Sequence, residues 1–346
     1  MTEHHEILAE RKDKAGFITL NRPKSLNALN LAMIQKITQV LNEWQKDGTV
    51  ELIILQSNNE KSFCAGGDIR AVYEAGKGNN KELGFQFFYQ EYILNQKICR
   101  YPKPIISLID GIVMGGGAGL AMNGKYRIVT ERTIFAMPET VIGFFPDVGA
   151  GYFLNKCPGM VGLYLALTGE RINHSDCLYS HLATHIIPAS KLEELKSDLI
   201  SAGQPIVKIL EKFSGALSSP SHLAAYQPVI DRYFSRLSLD SILDLLQSDG
   251  QEWSKKTADS LLKRSPLSLR ITFEYMPKCA KLTFEDVMQL NLRLSQFFME
   301  QKDFYEGVRA VLIDKDQQPK WQVEKISPEI IHHAMNFPVK QPLPFK

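Results

Sequence analysis

The sequence predicts an α/β fold followed by a helical C-terminal region. Two observations support this prediction. Nineteen of the 23 glycines lie at or before residue 169, which places the turn-rich part of the chain in the first half. There, short β-branched segments alternate with helical ones, whereas amphipathic helical patterns dominate after about residue 190. We therefore expect a core domain over residues 1–190 and a mainly helical region over residues 191–346.

Five segments of the first half have the composition of β-strands. They are EILAER at 6–11, GFITL at 16–20, ELIILQS at 51–57, PIISLID at 104–110 and YRIVT at 126–130. Two helices are predicted between these strands. Residues 30–46 form the first, because Asn30 is a suitable N-cap and apolar residues follow at helical spacing. Residues 81–99, rich in Phe and Tyr, form the second.

The second half has the pattern of successive amphipathic helices, interrupted by prolines. They are predicted near 190–202, 205–213, 222–236, 239–248, 252–263, 266–276 and 283–299. The last 25 residues contain several prolines and are expected to pack as an irregular tail.

Composition argues against several classes of protein. Forty basic and 38 acidic residues leave a net charge of +2, so neither nucleic acid nor a membrane is expected as a partner. The five cysteines are dispersed and include no C-x-x-C pair, which argues against a disulfide scaffold or a zinc site. Acidic residues among the first 14 count against a transit peptide. We expect a cytoplasmic location, with the mitochondrial matrix as the alternative if a presequence has been removed.

Three segments carry the chemistry. FCAGGDI at 63–69 and DGIVMGGGAGLAM at 110–122 each run from a strand through a glycine turn towards a helix. Such turns expose backbone N–H groups, and two of these groups from separate loops form an oxyanion hole. The third segment, MPETVIGFFPDVGAGY at 137–152, adds the carboxylates of Glu139 and Asp147, which can act as base, acid or nucleophile.

In this order and spacing, the three segments resemble the crotonase, or enoyl-CoA hydratase/isomerase, superfamily. Within it the chain is most similar to the branch of 3-hydroxyisobutyryl-CoA hydrolases. The marks of that branch are PETVIGFFPDVGAGYF at 138–153, ALTGERI at 166–172 and DFYEGVRAVLIDKDQQPKW at 303–321. The resemblance implies a crotonase-like core of repeated β-β-α turns arranged as a spiral, with helices following. It also implies an acyl-CoA substrate, a homo-oligomer, no cofactor beyond the CoA of the substrate, and no metal.

The same resemblance implies roles for the two glycine turns. The N–H groups of Ala65 and Gly116 would bind the carbonyl oxygen of the thioester. Gly67, Asp68 and Gly115 flank these donors and are expected to bind substrate, with Asp68 also holding its turn.

The reaction depends on the side chains, because the superfamily supports many reactions on one fold. Its hydratases have two glutamates. The first aligns here with Gly119, which cannot transfer a proton, and the second aligns with Glu139. Asp147 is an additional carboxylate eight residues later. This exchange favours hydrolysis of the thioester over addition of water to a double bond.

Several roles stay open at this point. Glu139 either attacks the thioester carbonyl or activates a water molecule. Asp147 binds the 3-hydroxyl group of the substrate, or orients Glu139 or the water. Glu91, on the aromatic helix, either faces the acyl pocket or is an exposed surface acid. Hydrolysis of 3-hydroxyisobutyryl-CoA in valine breakdown is the expected function. The alternatives are a hydratase or isomerase that uses Glu139 alone and a non-catalytic acyl-CoA-binding protein.

Overall fold

The computed structural model describes residues 5–78, 80–201, 204–215, 219–322 and 326–345. The chain forms two compact units that alternate along the sequence. One comprises Met1–Gly67, Leu94–Ala136 and Arg171–Ala224, and the other comprises Asp68–Ile93, Met137–Glu170 and Ala225–Lys346. The secondary structure changes near residue 190, as the sequence suggests. The compact units follow different boundaries, because Met137–Glu170 packs with the later helices, and Arg171–Ala224 packs with the strands.

The strands of the described residues all lie in the first unit. They are β1 (Ile7–Lys12), β2 (Ala15–Leu20), β3 (Leu52–Ser57), β4 (Ser62–Cys64), β5 (Ile105–Ile109), β6 (Ile112–Met114), β7 (Tyr126–Val129), β8 (Ile134–Ala136), β9 (Ile172–Asn173) and β10 (His185–Ile186). One sheet has the order β1-β2-β3-β5-β7-β10 and is parallel except for the β1–β2 pair. The other has the order β4-β6-β8-β9 and is antiparallel only between β8 and β9.

The helices connect these strands and then dominate the rest of the chain. They are α1 (Leu31–Lys46), α2 (Ile69–Lys77), α3 (Lys81–Cys99), α4 (Gly116–Met122), α5 (Ala150–Phe153), α6 (Val161–Thr168), α7 (His174–Tyr179), α8 (Leu192–Ser201), α9 (Ile206–Phe213), α10 (His222–Phe234), α11 (Leu239–Ser248), α12 (Glu252–Leu262), α13 (Pro266–Cys279), α14 (Phe284–Phe298), α15 (Lys302–Val308) and α16 (Pro328–Met335). No helix in the described part of the chain is long and apolar enough to span a bilayer.

Most predicted elements are confirmed, including the cap of α1, where Oδ1 of Asn30 accepts the N–H of Met33 at 2.8 Å. Two expectations need correction. The five predicted strands are five of the six in the larger sheet. Its sixth strand, β10, and the strands of the smaller sheet were not predicted, because two or three residues give no readable periodicity. The tail contains helix α16, which begins with a proline at its first position, where the absent N–H costs nothing.

The first unit has its core on one face of the larger sheet. Phe17, Ile54, Ile106 and Ile128 come from four neighbouring strands and pack against helices α8 and α9. Every residue of β2 is buried, as expected for an inner strand that is covered on both faces.

The second unit is organised around aromatic side chains. The ring of Phe144 stacks on Phe88 of α3 at a centroid distance of 5.3 Å. It also contacts Phe298 of α14 at 5.4 Å and Phe304 of α15 at 5.6 Å. Because Phe144 lies between Glu139 and Asp147 in the sequence, this packing fixes the loop that carries both carboxylates.

Candidate active site

The two glycine turns of the first unit lie side by side. Strand β4 runs parallel to β6, with Cys64 opposite Val113, so the chain leaves both strands at the same edge of the smaller sheet. The turns then approach each other closely. A Cβ atom on Gly117 would lie 2.3 Å from the carbonyl oxygen of Cys64, so only glycine fits there. The predicted pairing of the two turns is therefore present.

The hydrogen bonds of these turns show which of the candidate N–H donors are already used within the fold. The N–H of Ala65 donates to the carbonyl oxygen of Leu26 at 3.0 Å, so it is already used within the fold. This does not support Ala65 as an oxyanion donor. The N–H groups of Gly67 and Gly116 donate no hydrogen bond to another described residue. Gly116 is the first residue of α4, a position whose N–H has no partner within a helix. Gly67 and Gly116 are thus the two unused donors.

The neighbouring predicted residues shape these turns. The side chain of Asp68 caps α2 by accepting the N–H of Ala71 at 3.4 Å, consistent with a role in holding its turn. Gly115 has a φ of +49°, which lets the chain leave β6 and enter α4 directly. Arg70, on α2, forms an exposed ion pair with Glu74 at 3.1 Å.

The second unit contains the three predicted carboxylates. Glu139 begins the 3₁₀ turn Glu139–Ile142, which is followed by Gly143 with a φ of +70°. Asp147 follows on the same loop, and Glu91 lies on α3. The exposed fractions are 6% for Glu139, 4% for Asp147 and 2% for Glu91, so all three side chains are buried. The interpretation of Glu91 as an exposed surface acid is therefore wrong, because its face of α3 packs inward.

The loop after Asp147 is anchored by two long helices. The N–H of Gly149 donates to Oδ1 of Asn291 on α14 at 3.2 Å. The N–H of Gly151 donates to the hydroxyl of Tyr275 on α13 at 3.1 Å, and Nδ2 of Asn291 donates to the same hydroxyl at 2.8 Å. Asp147 therefore lies on a fixed loop.

The turn of Glu139 is held by the motif DFYEG at 303–307. A Cβ atom on Gly143 would lie 2.2 Å from the carbonyl oxygen of Asp303, and one on Gly307 would lie 2.3 Å from the carbonyl carbon of Ile142. The two backbones thus touch at both ends of the motif. This contact explains why a distant segment of the second half marks the same branch as the catalytic loop.

Tyr92 belongs to the site and was missed by the sequence analysis. Its hydroxyl donates a hydrogen bond to Oδ2 of Asp147 at 2.7 Å, and its side chain is completely buried. Tyr92 follows Glu91 directly in the segment FFYQEYILN. Nothing in the sequence distinguishes it from the other aromatic residues of that helix.

Burial and mutual repulsion determine the ionisation of the site. Burial raises the pKa of Glu91 well above its usual value, and the charges of Asp147 and Glu139 raise it further. Burial, followed by the charge of Asp147, also raises the pKa of Glu139. Burial raises the pKa of Asp147 to about 7, although the hydrogen bond from Tyr92 acts in the opposite direction. No lysine, arginine or histidine of the described residues forms an ion pair with these carboxylates.

Among the described residues, no group of three His, Cys, Asp or Glu side chains is arranged to hold a metal ion. The position of the first hydratase glutamate is occupied by Gly119, buried within α4. The first unit contains two unused N–H donors, Gly67 and Gly116. The second unit contains three buried carboxyl groups and the phenol of Tyr92.

Comparison with known proteins identifies the family. The model of the enoyl-CoA hydratase/isomerase family matches residues 15–334. The chain belongs to this family.

Two relatives show which branch of the family the chain resembles. The chain is 48% identical over 325 residues to the mitochondrial 3-hydroxyisobutyryl-CoA hydrolase of Danio rerio, covering 92% of this chain and 85% of that protein. It is 43% identical over 325 residues to the human protein of the same name, covering 92% and 84%. The resemblance to the hydrolase branch is thereby confirmed.

Solved structures confirm the crotonase fold. A carnitinyl-CoA dehydratase from Mycobacterium thermoresistibile is 34% identical, with a TM-score of 0.93 and 99% coverage of both chains. An enoyl-CoA hydratase from Rhodobacter sphaeroides is 33% identical, with a TM-score of 0.91 and coverage of 99% and 100%.

Proposed function

We propose that this protein is an acyl-CoA thioester hydrolase that converts 3-hydroxyisobutyryl-CoA to 3-hydroxyisobutyrate and CoA. One observation carries this proposal from the site. Glu139 and Asp147 are buried on one anchored loop, while Gly119 stands in place of the first of the two hydratase glutamates. The hydrolases of Danio rerio and human support the same reaction and the same substrate.

The carbonyl oxygen of the thioester accepts hydrogen bonds from the N–H groups of Gly67 and Gly116. These donors stabilise the negative charge that develops on this oxygen in the transition state. We propose Gly67 in place of Ala65, because the N–H of Ala65 is already bonded to Leu26.

Glu139 then acts by one of two balanced routes. As a nucleophile, its carboxylate forms a bond to the carbonyl carbon, the C–S bond breaks, and CoA leaves as the thiolate. Water then cleaves the resulting anhydride to two carboxylic acids. As a general base, Glu139 removes a proton from a water molecule whose oxygen forms a bond to the same carbon. The C–S bond then breaks, and the departing CoA thiolate takes that proton from Glu139. A single turnover in H₂¹⁸O followed by mass spectrometry of the Glu139 peptide separates the routes, because only the anhydride route can leave ¹⁸O in Glu139.

The function is tested by chromatographic measurement of free CoA released from 3-hydroxyisobutyryl-CoA. We expect Glu139→Gln and Asp147→Asn each to lower kcat/KM at least about 100-fold, the scale of losing a catalytic acid or base. Both changes keep the shape of the side chain, and circular dichroism checks that the variants fold. Full activity of Glu139→Gln would contradict the proposed chemistry.

A hydratase is the second candidate, because the two solved structures with the same fold are named as a dehydratase and a hydratase. Incubation with crotonyl-CoA distinguishes the two functions. A hydrolase releases free CoA, whereas a hydratase forms 3-hydroxybutyryl-CoA. Formation of that product without CoA release from 3-hydroxyisobutyryl-CoA would favour the hydratase.

Oligomeric state and location complete the proposal. The family resemblance supports a homo-oligomer, which light scattering coupled to size-exclusion chromatography measures directly. For location, the relatives named above are mitochondrial proteins, which supports the mitochondrion over the cytoplasm. Fractionation of cells that express the natural protein decides between the two compartments.

A further inference from the structure

Among the described residues, only Tyr92 donates a side-chain hydrogen bond to a carboxylate of the site. Its hydroxyl donates to Oδ2 of Asp147 at 2.7 Å. By contrast, Oε1 of Glu91 and Oε2 of Glu139 are buried without a partner among the described residues. A buried carboxylate is stabilised in its charged form by a donor, so the three carboxyl groups are not equivalent.

The position of Tyr92 is fixed by packing. The ring of Phe88, one turn earlier on α3, lies 6.0 Å from the ring of Tyr92. Phe88 in turn stacks on Phe144, 5.3 Å away at an interplanar angle of 18°. Phe144 lies on the loop of Asp147, so the same aromatic contacts orient the donor and the acceptor.

The other groups around Asp147 are negative or neutral. Glu91 lies next to Tyr92 on α3, Glu139 lies on the 3₁₀ turn, and Tyr275 of α13 contacts the loop through Gly151. Ser295 of α14, which donates to the carbonyl oxygen of Leu292 at 3.0 Å, is a neutral neighbour of the Tyr92 hydroxyl. In the described residues no cation forms an ion pair with Asp147, so the phenol takes the place that a lysine or arginine has in many sites.

We propose that Tyr92 is a positioning residue of the hydrolase, which keeps Asp147 ionised and in one orientation while Glu91 retains its proton. With Oδ2 held by Tyr92, Oδ1 of Asp147 remains to accept a hydrogen bond from the substrate or from water. This inference rests on the proposed hydrolase function. It assigns Tyr92 a role that acts through Asp147 and not through direct contact with the reacting atoms.

The test compares the pH profiles of kcat/KM for the wild-type protein and Tyr92→Phe. Ionised Asp147 is present above its pKa and is lost as the pH falls through it. Removing the hydroxyl raises this pKa, so the acid limb of Tyr92→Phe moves to higher pH. Loss of a hydrogen bond to a charged group changes an equilibrium constant by about 10- to 100-fold. We therefore expect Tyr92→Phe to lower kcat/KM by about 10- to 100-fold at pH 6, but by less than about 3-fold at pH 9.

Tyr89→Phe is the matched control. Tyr89 lies three residues earlier on α3, and its hydroxyl accepts a hydrogen bond from Gln341 at 2.8 Å and donates one to the carbonyl oxygen of Pro342 at 3.4 Å. The same loss of a hydroxyl should leave the pH profile unchanged. In an Asp147→Asn background, Tyr92→Phe should have no pH-dependent effect, because the titrating partner is absent.

A second variant guards against misfolding of Tyr92→Phe. Incorporation of 3-fluorotyrosine at position 92 keeps the ring and makes the hydroxyl a stronger donor, so the acid limb should move to lower pH. Coincident profiles for wild type, Tyr92→Phe and the fluorinated protein would overturn this inference alone. Absence of CoA release by the wild-type protein would instead overturn the proposed function.

Discussion

Gly307→Ala tests whether the motif at 303–307 positions Glu139. The added Cβ atom would lie 2.3 Å from the carbonyl carbon of Ile142 and 2.5 Å from its oxygen. Carbon atoms pack at about 3.5–4.0 Å, so the 3₁₀ turn of Glu139 or helix α15 must move by about 1 Å. Both contact atoms belong to the backbone, so no side-chain rotation relieves the clash.

The expected effect on stability is small, because two terms oppose each other. Overpacking costs about 1–3 kcal/mol, whereas alanine is favoured over glycine inside a helix by about 1 kcal/mol. We therefore expect the free energy of unfolding to fall by about 0–2 kcal/mol. The effect on catalysis is larger, because a displacement of about 1 Å at a catalytic group costs about 100-fold in rate.

The assay measures kcat for CoA release together with urea unfolding. Gly84→Ala is the control, since its added Cβ atom would lie 2.7 Å from Sδ of Met299, which is the flexible end of a side chain. We expect Gly84→Ala to retain its rate. Wild-type kcat in a stable Gly307→Ala protein would refute the positioning of Glu139 by this motif.

Two further predictions concern buried polar groups. Burial raises the pKa of Glu91 in the folded protein, so Glu91 lowers the free energy of unfolding as the pH rises above its pKa in the unfolded chain. Glu91→Gln removes this penalty and should raise the urea midpoint more at pH 8 than at pH 4. An equal change at both pH values would contradict this prediction. Asn95 is completely buried, and its side-chain amide has no partner among the described residues. Asn95→Leu should therefore raise the free energy of unfolding, measured in urea, by about 1–3 kcal/mol. A decrease of the same size would show that the amide has a partner.

The sequence predicted those parts of the fold that have a long local pattern. Asn30 and the spacing after it were sufficient for α1, and runs of four or more strand residues were sufficient for five of the six strands of the larger sheet. Strands β4, β6 and β8 have three residues each and form only because they pair with one another. Their existence depends on contacts that no local window contains.

The site was predictable where a residue type is itself unusual. Glu139 and Asp147 stood out as carboxylates in a loop rich in glycine and aromatic residues, and both are buried. Ala65 and Tyr92 show the limit. The use of the Ala65 N–H depends on Leu26, and the hydrogen bond of Tyr92 depends on a residue 55 positions away. A sequence names the groups that can donate or accept, but only the fold determines which of them are already paired.

The fold alone does not decide between hydration and hydrolysis. Two structures named as a dehydratase and a hydratase match this chain with TM-scores of 0.93 and 0.91. Which of the two reactions a protein with this fold catalyses depends on where its carboxyl groups lie. At position 119 the side chain is a single hydrogen atom, so α4 supplies no acid or base for the addition of water. The carboxyl groups that are present belong to the loop at 139–147 and to α3, where burial raises the pKa of each. The pKa of Asp147 is raised to about 7, which suits acid–base chemistry near neutral pH.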